Sequence, residues 1–259
     1  MEILFSQLVQ YLSDFLLPLS RIAAMFMVMV GIGVKTVPTR VKVGLSVLVT
    51  LLVMPILPPS QFNELFSFQM VIVVLQQILI GVAMGFASVM MLNTFILAGQ
   101  ILAMQTGLGF ASIVDPANGQ SVPAVGQFYL ILATLLFWVF DGHLMMIQML
   151  IHSFTALPID GTWWPVANFQ KLALWGSWMF ATALVLSLAP LTAMLVINFS
   201  FGVMTRAAPQ LNIFTIGFPF TLLAGLVIIW ATMTNFTAQF EFQWLKMVEL
   251  MCDLVGCQV

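Results

Sequence analysis

The chain holds two histidines, His143 and His152. His143 closes the compact turn Asp141-Gly142-His143, and an aspartate two positions from an imidazole could in principle relay a proton or share a metal. The surrounding spacing supports neither chemistry. No His-Glu-x-x-His, His-x-x-Glu-His or aspartate-rich metal pattern occurs. There is no Gly-x-Ser-x-Gly elbow and no Walker loop. Gly107-x-Gly109 lacks the third glycine and the downstream acid of a dinucleotide fingerprint. His143 therefore reads as a turn residue near a membrane–water interface. The two cysteines, Cys252 and Cys257, are too few for a disulfide scaffold or a zinc site and read as inert. No catalytic residue, metal or cofactor is expected, and the chain is not expected to be an enzyme.

The polar residues that remain are notable for where they stand. Arg21 lies inside an apolar segment, where a charge is expensive. It is either buried and partnered, or it snorkels to a nearby interface. Gln76, Gln77, Asn93, Gln100 and Gln105 punctuate a long stretch with no charge, from Leu65 to Val114. Unpaired in lipid they would be costly, so they are expected to face protein or a pore. Arg206 divides two further uncharged runs, and reads as a helix-end anchor before a pore-facing charge.

The strongest local signal is the segment Gly107, Leu108, Gly109, Phe110, Ala111, Ser112, Ile113, Val114, Asp115, Pro116, Ala117, Asn118, Gly119, continuing to Pro123. Its glycines, Asp-Pro and Asn-Gly steps specify a loop with several tight turns. At membrane depth such backbone is tolerated only where protein buries it or it lines a cavity. Otherwise it is an external connection, for which Phe110, Ile113 and Val114 are poor choices.

These features need apolar helices to carry them, and the composition supplies little else. Of 259 residues, 62% are hydrophobic and 6% charged, with a net charge of −2; the mean hydropathy is +1.11. A soluble domain lacks charge at this level, a nucleic-acid binder needs a basic patch, and disorder needs low hydrophobicity. An all-α, polytopic membrane-associated protein remains. Met1 to Phe5 has no basic n-region, so the first hydrophobic segment is expected to stay in the mature protein.

Apolar runs are read at 15–34, 43–57, 65–114, 122–140, 144–157, 172–205 and 207–240, giving six or so hydrophobic hairpin arms. Lys35 to Lys42 is a short basic stretch whose bias points to the cytoplasm. Ile159 to Lys171 is expected to be a wet loop, with Trp163-Trp164 at the interface. The tail from Glu241 is expected to be a short amphipathic helix. As one helix, residues 65–114 would measure about 75 Å against a bilayer core of about 30 Å. Lacking proline, this stretch is expected to run as very long helix to about Gln105, kinked near Gly85 or Asn93 rather than cut. Gly81-x-x-x-Gly85 would allow close helix contact, and the abundant methionines read as deformable filler.

Motifs scattered through the whole chain resemble the FliR family of membrane proteins in the type III secretion export apparatus of flagella. They are Arg21 with Lys35-x-x-Pro38-x-x-x-Lys42 and the run to Pro55; Gly107-Leu-Gly-Phe-Ala-Ser-Ile-Val-Asp-Pro116; Asp141-Gly142-His143 with Ser153-Phe154 and Pro158; and Asn198, Gly202, Arg206, Pro209-Gln210-Leu-Asn212-Ile-Phe214 and Gly217-Phe-Pro219.

The resemblance implies long kinked helical hairpins built into a hetero-oligomeric export gate, in the bacterial inner membrane at the flagellar basal body. It implies several copies each of FliP-like and FliQ-like subunits as partners, an FlhB-like subunit, and exported flagellar proteins in transit. It implies a FliP-like part over about 1–125 and a FliQ-like part over about 126–259, and it makes residues 107–122 a plug in the central protein-conducting channel. The alternative is a small-solute secondary transporter, which would show paired repeats and a midplane ionisable site; the sequence has neither.

Overall fold

A computed structural model describes residues 2–58, 67–114, 121–159, 163–207 and 217–256. Among these residues all regular structure is helical except one two-stranded ladder. The α-helices are α1 (Glu2–Val28), α2 (Thr39–Val53), α3 (Phe68–Thr106), α4 (Ala124–Val139), α5 (Gly142–Ala156), α6 (Val166–Ala207), α7 (Phe218–Thr232) and α8 (Phe236–Val255). The ladder pairs β1 (Ser112–Val114) with β2 (Ser121–Pro123).

Among the described residues, five stretches are long and apolar enough to cross a membrane: Gln7–Val28, Thr39–Ile56, Phe68–Thr106, Val166–Ala207 and Phe218–Val255. The shorter α4 and α5 would add a sixth if they act as one span. With 39 residues in α3, the helix measures about 58 Å. The uncharged stretch thus runs as one helix because it contains no proline to stop it. α6 is longer still, 42 residues with Pro190 inside. Its start at Val166 turns the second half of the expected wet loop into helix.

The chain forms two compact units, and α3, α6 and α8 each contribute to both. The first unit comprises residues 1–89, 140–175 and 246–259. Leu17, Ile22, Met25 and Phe26 of α1 and Met29 just past its end are buried there, as are Val73, Ile80 and Met84 of α3, and Met146, Leu150 and Phe154 of α5. Met25 and Met29 lie one helical turn apart and are buried, whereas Met27 between them is exposed, as a helical period requires.

α1 meets α3 at glycines. A Cβ on Gly81 would collide with the Arg21 carbonyl oxygen, and one on Gly85 would lie 2.9 Å from the Met25 carbonyl oxygen. After α1, Gly31 turns the chain in the left-handed region at φ 82°. Lys42 Nζ then donates to the Gly33 carbonyl at 2.8 Å. A cation there suits the negative end of the preceding helix.

The first unit also closes the C-terminus of α8. Trp164 Nε1 and Asn168 Nδ2 both donate to the Leu254 carbonyl, at 3.1 and 3.0 Å. Lys171 Nζ donates to the Asp253 carbonyl at 3.2 Å. Gly256, at φ 85°, ends the helix, its N–H donating to the Cys252 carbonyl at 2.7 Å. Such donors satisfy carbonyls that a helix end leaves unpaired. Of the tryptophan pair expected at an interface, Trp163 is exposed but Trp164 is buried.

The second unit comprises residues 90–139 and 176–245. Its core is aromatic. The Phe95 ring lies 5.2 Å from that of Phe236 and 5.9 Å from that of Phe240. Tyr129 meets Phe236 edge-on at 5.4 Å, and Phe137 meets Trp244 edge-on at 5.6 Å. These are the tilted geometries that ring quadrupoles favour. α3 and α4 approach through a glycine pair, since a Cβ on Gly99 would lie 2.7 Å from Gly126 Cα.

Candidate functional site

Two places gather the residues singled out by the sequence, one in each unit. In the first unit the side chain of Arg21 is wholly buried. Its Nε donates to Gln77 Oε1 at 2.7 Å. One terminal nitrogen donates to the carbonyl and hydroxyl oxygens of Ser153, at 2.8 and 3.0 Å. The other donates to the Leu157 carbonyl at 2.9 Å. The guanidinium carbon stands 4.4 Å from the centre of the Phe154 ring, a cation–π contact. None of the described carboxylates pairs with it.

The acceptors explain how a charge survives here. Ser153 and Leu157 bound the last turn of α5, where the carbonyls carry the negative end of the helix dipole; the Ser153 carbonyl also accepts the Leu157 N–H at 2.9 Å, while the Leu157 carbonyl lies past the end of the helix. Arg21 thus caps α5 from α1, and Gln77 of α3 takes the remaining edge of the fork. Arg21 is thus buried and hydrogen-bonded within the first unit.

In the second unit α3 ends at Gly107, which adopts φ 78°. A short 3-10 turn, Leu108–Phe110, follows, and then β1. The ladder register is Ser112 opposite Pro123, Ile113 opposite Val122 and Val114 opposite Ser121. Ala124 N–H donates to the Ala111 carbonyl at 2.8 Å, extending the ladder to the first residue of α4. Val122 is buried and Ile113 is half exposed. Within the segment expected as a loop of tight turns, residues 112–114 and 121–123 thus pair as an antiparallel hairpin ladder between α3 and α4. Asp115, Pro116, Ala117, Asn118 and Gly119 lie outside the described residues.

The other polar candidates are dispersed. Gln76 is buried beside Gln77, while Asn93, Gln100 and Gln105 are partly buried along α3. Arg206 stands exposed in the last turn of α6, where a cation complements the helix dipole. Of the polar set, Arg21 and Gln77 are joined by a hydrogen bond. Sequence reasoning missed Ser153 and Leu157 as partners of Arg21. It also missed Phe218 and Gly225 of α7, which pack on the end of α3. Ser153-Phe154 and Phe218-Pro219 do stand among the motifs that carry the resemblance, and that was the available signal.

The comparisons agree across nearly the whole length. The model of a family described as bacterial export proteins, family 1, matches residues 12–247. The chain is 37% identical over 250 residues to the flagellar biosynthetic protein FliR of Pectobacterium carotovorum subsp. carotovorum, covering 96% of this chain and 95% of that one. The chain belongs to the FliR family of bacterial export proteins. FliR of Escherichia coli strain K12 is 35% identical over 256 residues, covering 99% of this chain and 98% of its own. The more distant FliR of Bacillus subtilis strain 168 is 24% identical over 219 residues, covering 83% and 84%. For a member of the FliR family the two sites differ in character. The Arg21 cluster ties three helices together, whereas the second site is a short two-stranded ladder between α3 and α4.

Proposed function

We propose that this chain is a core subunit of a flagellar type III protein export gate in the bacterial inner membrane, and that residues 107–122 plug its channel. The observation that carries the reading is the hairpin at the end of α3, a helix about twice the thickness of a bilayer core. A hairpin pairs the facing backbone groups of its two strands with each other, which lowers the cost of standing in a confined, poorly hydrated space. Ile113 and its neighbours supply apolar bulk, and an apolar constriction blocks ions by excluding water.

In this reading the long helices are covered by several FliP-like and FliQ-like subunits, with an FlhB-like subunit alongside. The chain itself divides into a FliP-like part to about residue 125 and a FliQ-like part beyond it. Flagellar proteins in transit displace the plug.

The test is deletion of residues 110–115 in the complete assembly. Small-ion leak across the membrane should rise while the assembly still forms. Normal assembly with unchanged leak would reject the plug.

A further inference from the structure

The end of α3 and the start of α7 fit each other through two size-complementary contacts, both within the second unit. A Cβ on Gly225 would collide with the side chain of Thr106, its nearest distance to Thr106 Cβ being 2.6 Å. The Thr106 side chain therefore fills a notch that only glycine leaves open. At the next residue the sizes reverse. A Cβ on Gly107 would lie 2.9 Å from Cε2 of Phe218, 3.5 Å from its Cδ2 and 3.8 Å from its Cζ. The edge of the Phe218 ring occupies that space instead. Phe218 and Gly225 are seven positions apart and so share one face of α7.

The two contacts differ in firmness. Thr106 is buried, and its hydroxyl donates to the carbonyls of Leu102 and Ala103, at 3.0 and 3.2 Å. The Phe218 ring is 47% exposed, so one side of it is free to swing. Its backbone is not, because Pro219 fixes the first turn. The Phe220 ring also lies 4.9 Å from that of Phe201 on α6. A firm pivot at Thr106 thus adjoins a side chain that can yield, at the one residue between α3 and the hairpin that adopts positive φ.

We propose that Phe218 is the latch of the hairpin: its ring, pressed on Gly107, holds the hairpin in its resting position, and Gly107 is the hinge about which it leaves. This rests on the plug reading above. Phe218 is a positioning residue; it acts on the passage only through Gly107.

The test uses the whole assembly, with its partner subunits, in sealed inverted membrane vesicles. Chloride influx is read by quenching of an enclosed fluorophore and normalised to assembled complex. Phe218→Ala should raise the leak about tenfold, the rise expected if the resting state loses that factor in population. Phe218→Leu, which keeps apolar bulk, should stay near the parent. Gly107→Ala adds a methyl where the ring edge lies and should leak as Phe218→Ala does; it is the second reading if Phe218→Ala fails to assemble. Deletion of residues 110–114 should leak most, and adding Phe218→Ala to it should change nothing. A leaking deletion with a tight Phe218→Ala and Gly107→Ala overturns the latch and leaves the plug standing. A tight deletion overturns the plug, and the latch with it. Extra leak from Phe218→Ala on top of the deletion places its action elsewhere and also overturns the latch.

Discussion

Arg21 and Gln77 are separated by 56 positions, yet the Arg21 Nε–H donates to Gln77 Oε1 at 2.7 Å in a buried setting. The bond joins α1 to α3 at the level where Gly81 lets their backbones meet. The same guanidinium reaches the end of α5. Arg21→Met would orphan Gln77 Oε1 and the Leu157 carbonyl together. At about 1–3 kcal/mol for each buried group left unpaired, a loss of several kcal/mol is expected. Thermal unfolding of the purified assembly, or steady-state level in the membrane, should show it. Arg21→Lys keeps the charge but not the planar fork and should fall between. Gln77→Glu should be tolerated better than Gln77→Leu, because it supplies a counter-charge. A parent-like level for Arg21→Met would show that the cluster does not hold the unit.

Glycines at the α1–α3 crossing should be intolerant and those facing open space indifferent. Gly81→Ala and Gly85→Ala drive a methyl into the backbone of α1. Backbone cannot yield as a flexible side chain can, so overpacking of about 1–3 kcal/mol is expected. A Cβ on Gly44 or Gly176 meets nothing within 4 Å. There alanine should be neutral or stabilise by up to about 1 kcal/mol through helix propensity. Equal effects at the two pairs of positions would contradict the packing.

These contacts also show what the sequence could reveal. α3 was legible because nothing between Phe68 and Thr106 interrupts a helix. Gly81 and Gly85 were legible as a contact motif, though not their partner, because chain spacing does not say which helix lies opposite. The state of Arg21 was undecidable for the same reason: its acceptors lie 56 positions away on α3 and 132 and 136 positions away at the end of α5. β1 and β2 were missed because three residues each are too few to show an alternating pattern. Trp164 was misplaced because a tryptophan before an apolar run looks interfacial until the carbonyl it binds, on Leu254, is known. The reading of residues 107–122 as a plug rests on resemblance; the residues alone allow an external connection too.

Loss of the C-terminal cap of α8 should be mild in single variants and cooperative in pairs. Trp164 and Asn168 both donate to the Leu254 carbonyl, so either alone leaves it satisfied. Asn168→Ala is expected to cost about 1 kcal/mol, and Trp164→Phe similarly, as for ordinary hydrogen bonds. The double variant should cost more than their sum, by about 0.5–3 kcal/mol of coupling. Lys171→Ala should do little, since its 4.0 Å ion pair with Asp253 is exposed. Additive thermal shifts for the pair would mean that water replaces the lost donors freely.

Dependence on partner subunits follows from the outer face of α6. Leu174, Phe180, Leu184, Val185, Leu188, Leu195, Val196, Phe199 and Val203 are all exposed on it. A helix of 42 residues is about 63 Å long, and lipid covers about 30 Å of apolar length. The remainder must be covered by protein or face water. Expressed without FliP-like and FliQ-like subunits, the chain should be degraded, with a steady-state level at least about fivefold lower, because partners that bind only the folded form stabilise it by mass action. Undiminished accumulation with protease resistance equal to that in the assembly would count against this.

The hairpin should move as one piece. Its strands are tied at three residue pairs, and Ala124 N–H extends the ladder to Ala111. Parting them breaks several hydrogen bonds in a poorly hydrated space, where each unpaired group costs about 1–3 kcal/mol. Rotation about Gly107 breaks none of these bonds, and glycine moves through positive φ without steric cost. Opening at the hinge is therefore the cheaper path. Ile113 and Val122 stand directly opposite in the register, and such neighbours have Cβ atoms about 4.5–5.5 Å apart, close enough for a disulfide with small adjustment. Ile113→Cys combined with Val122→Cys should oxidise readily and lock the strands together. If the hairpin swings as a unit, export of flagellar proteins should stay within about twofold of the reduced state, because the hinge lies outside the locked pairs. If export stops on oxidation and returns with reductant, the strands have to separate for cargo to pass, and Gly107 alone is not the hinge.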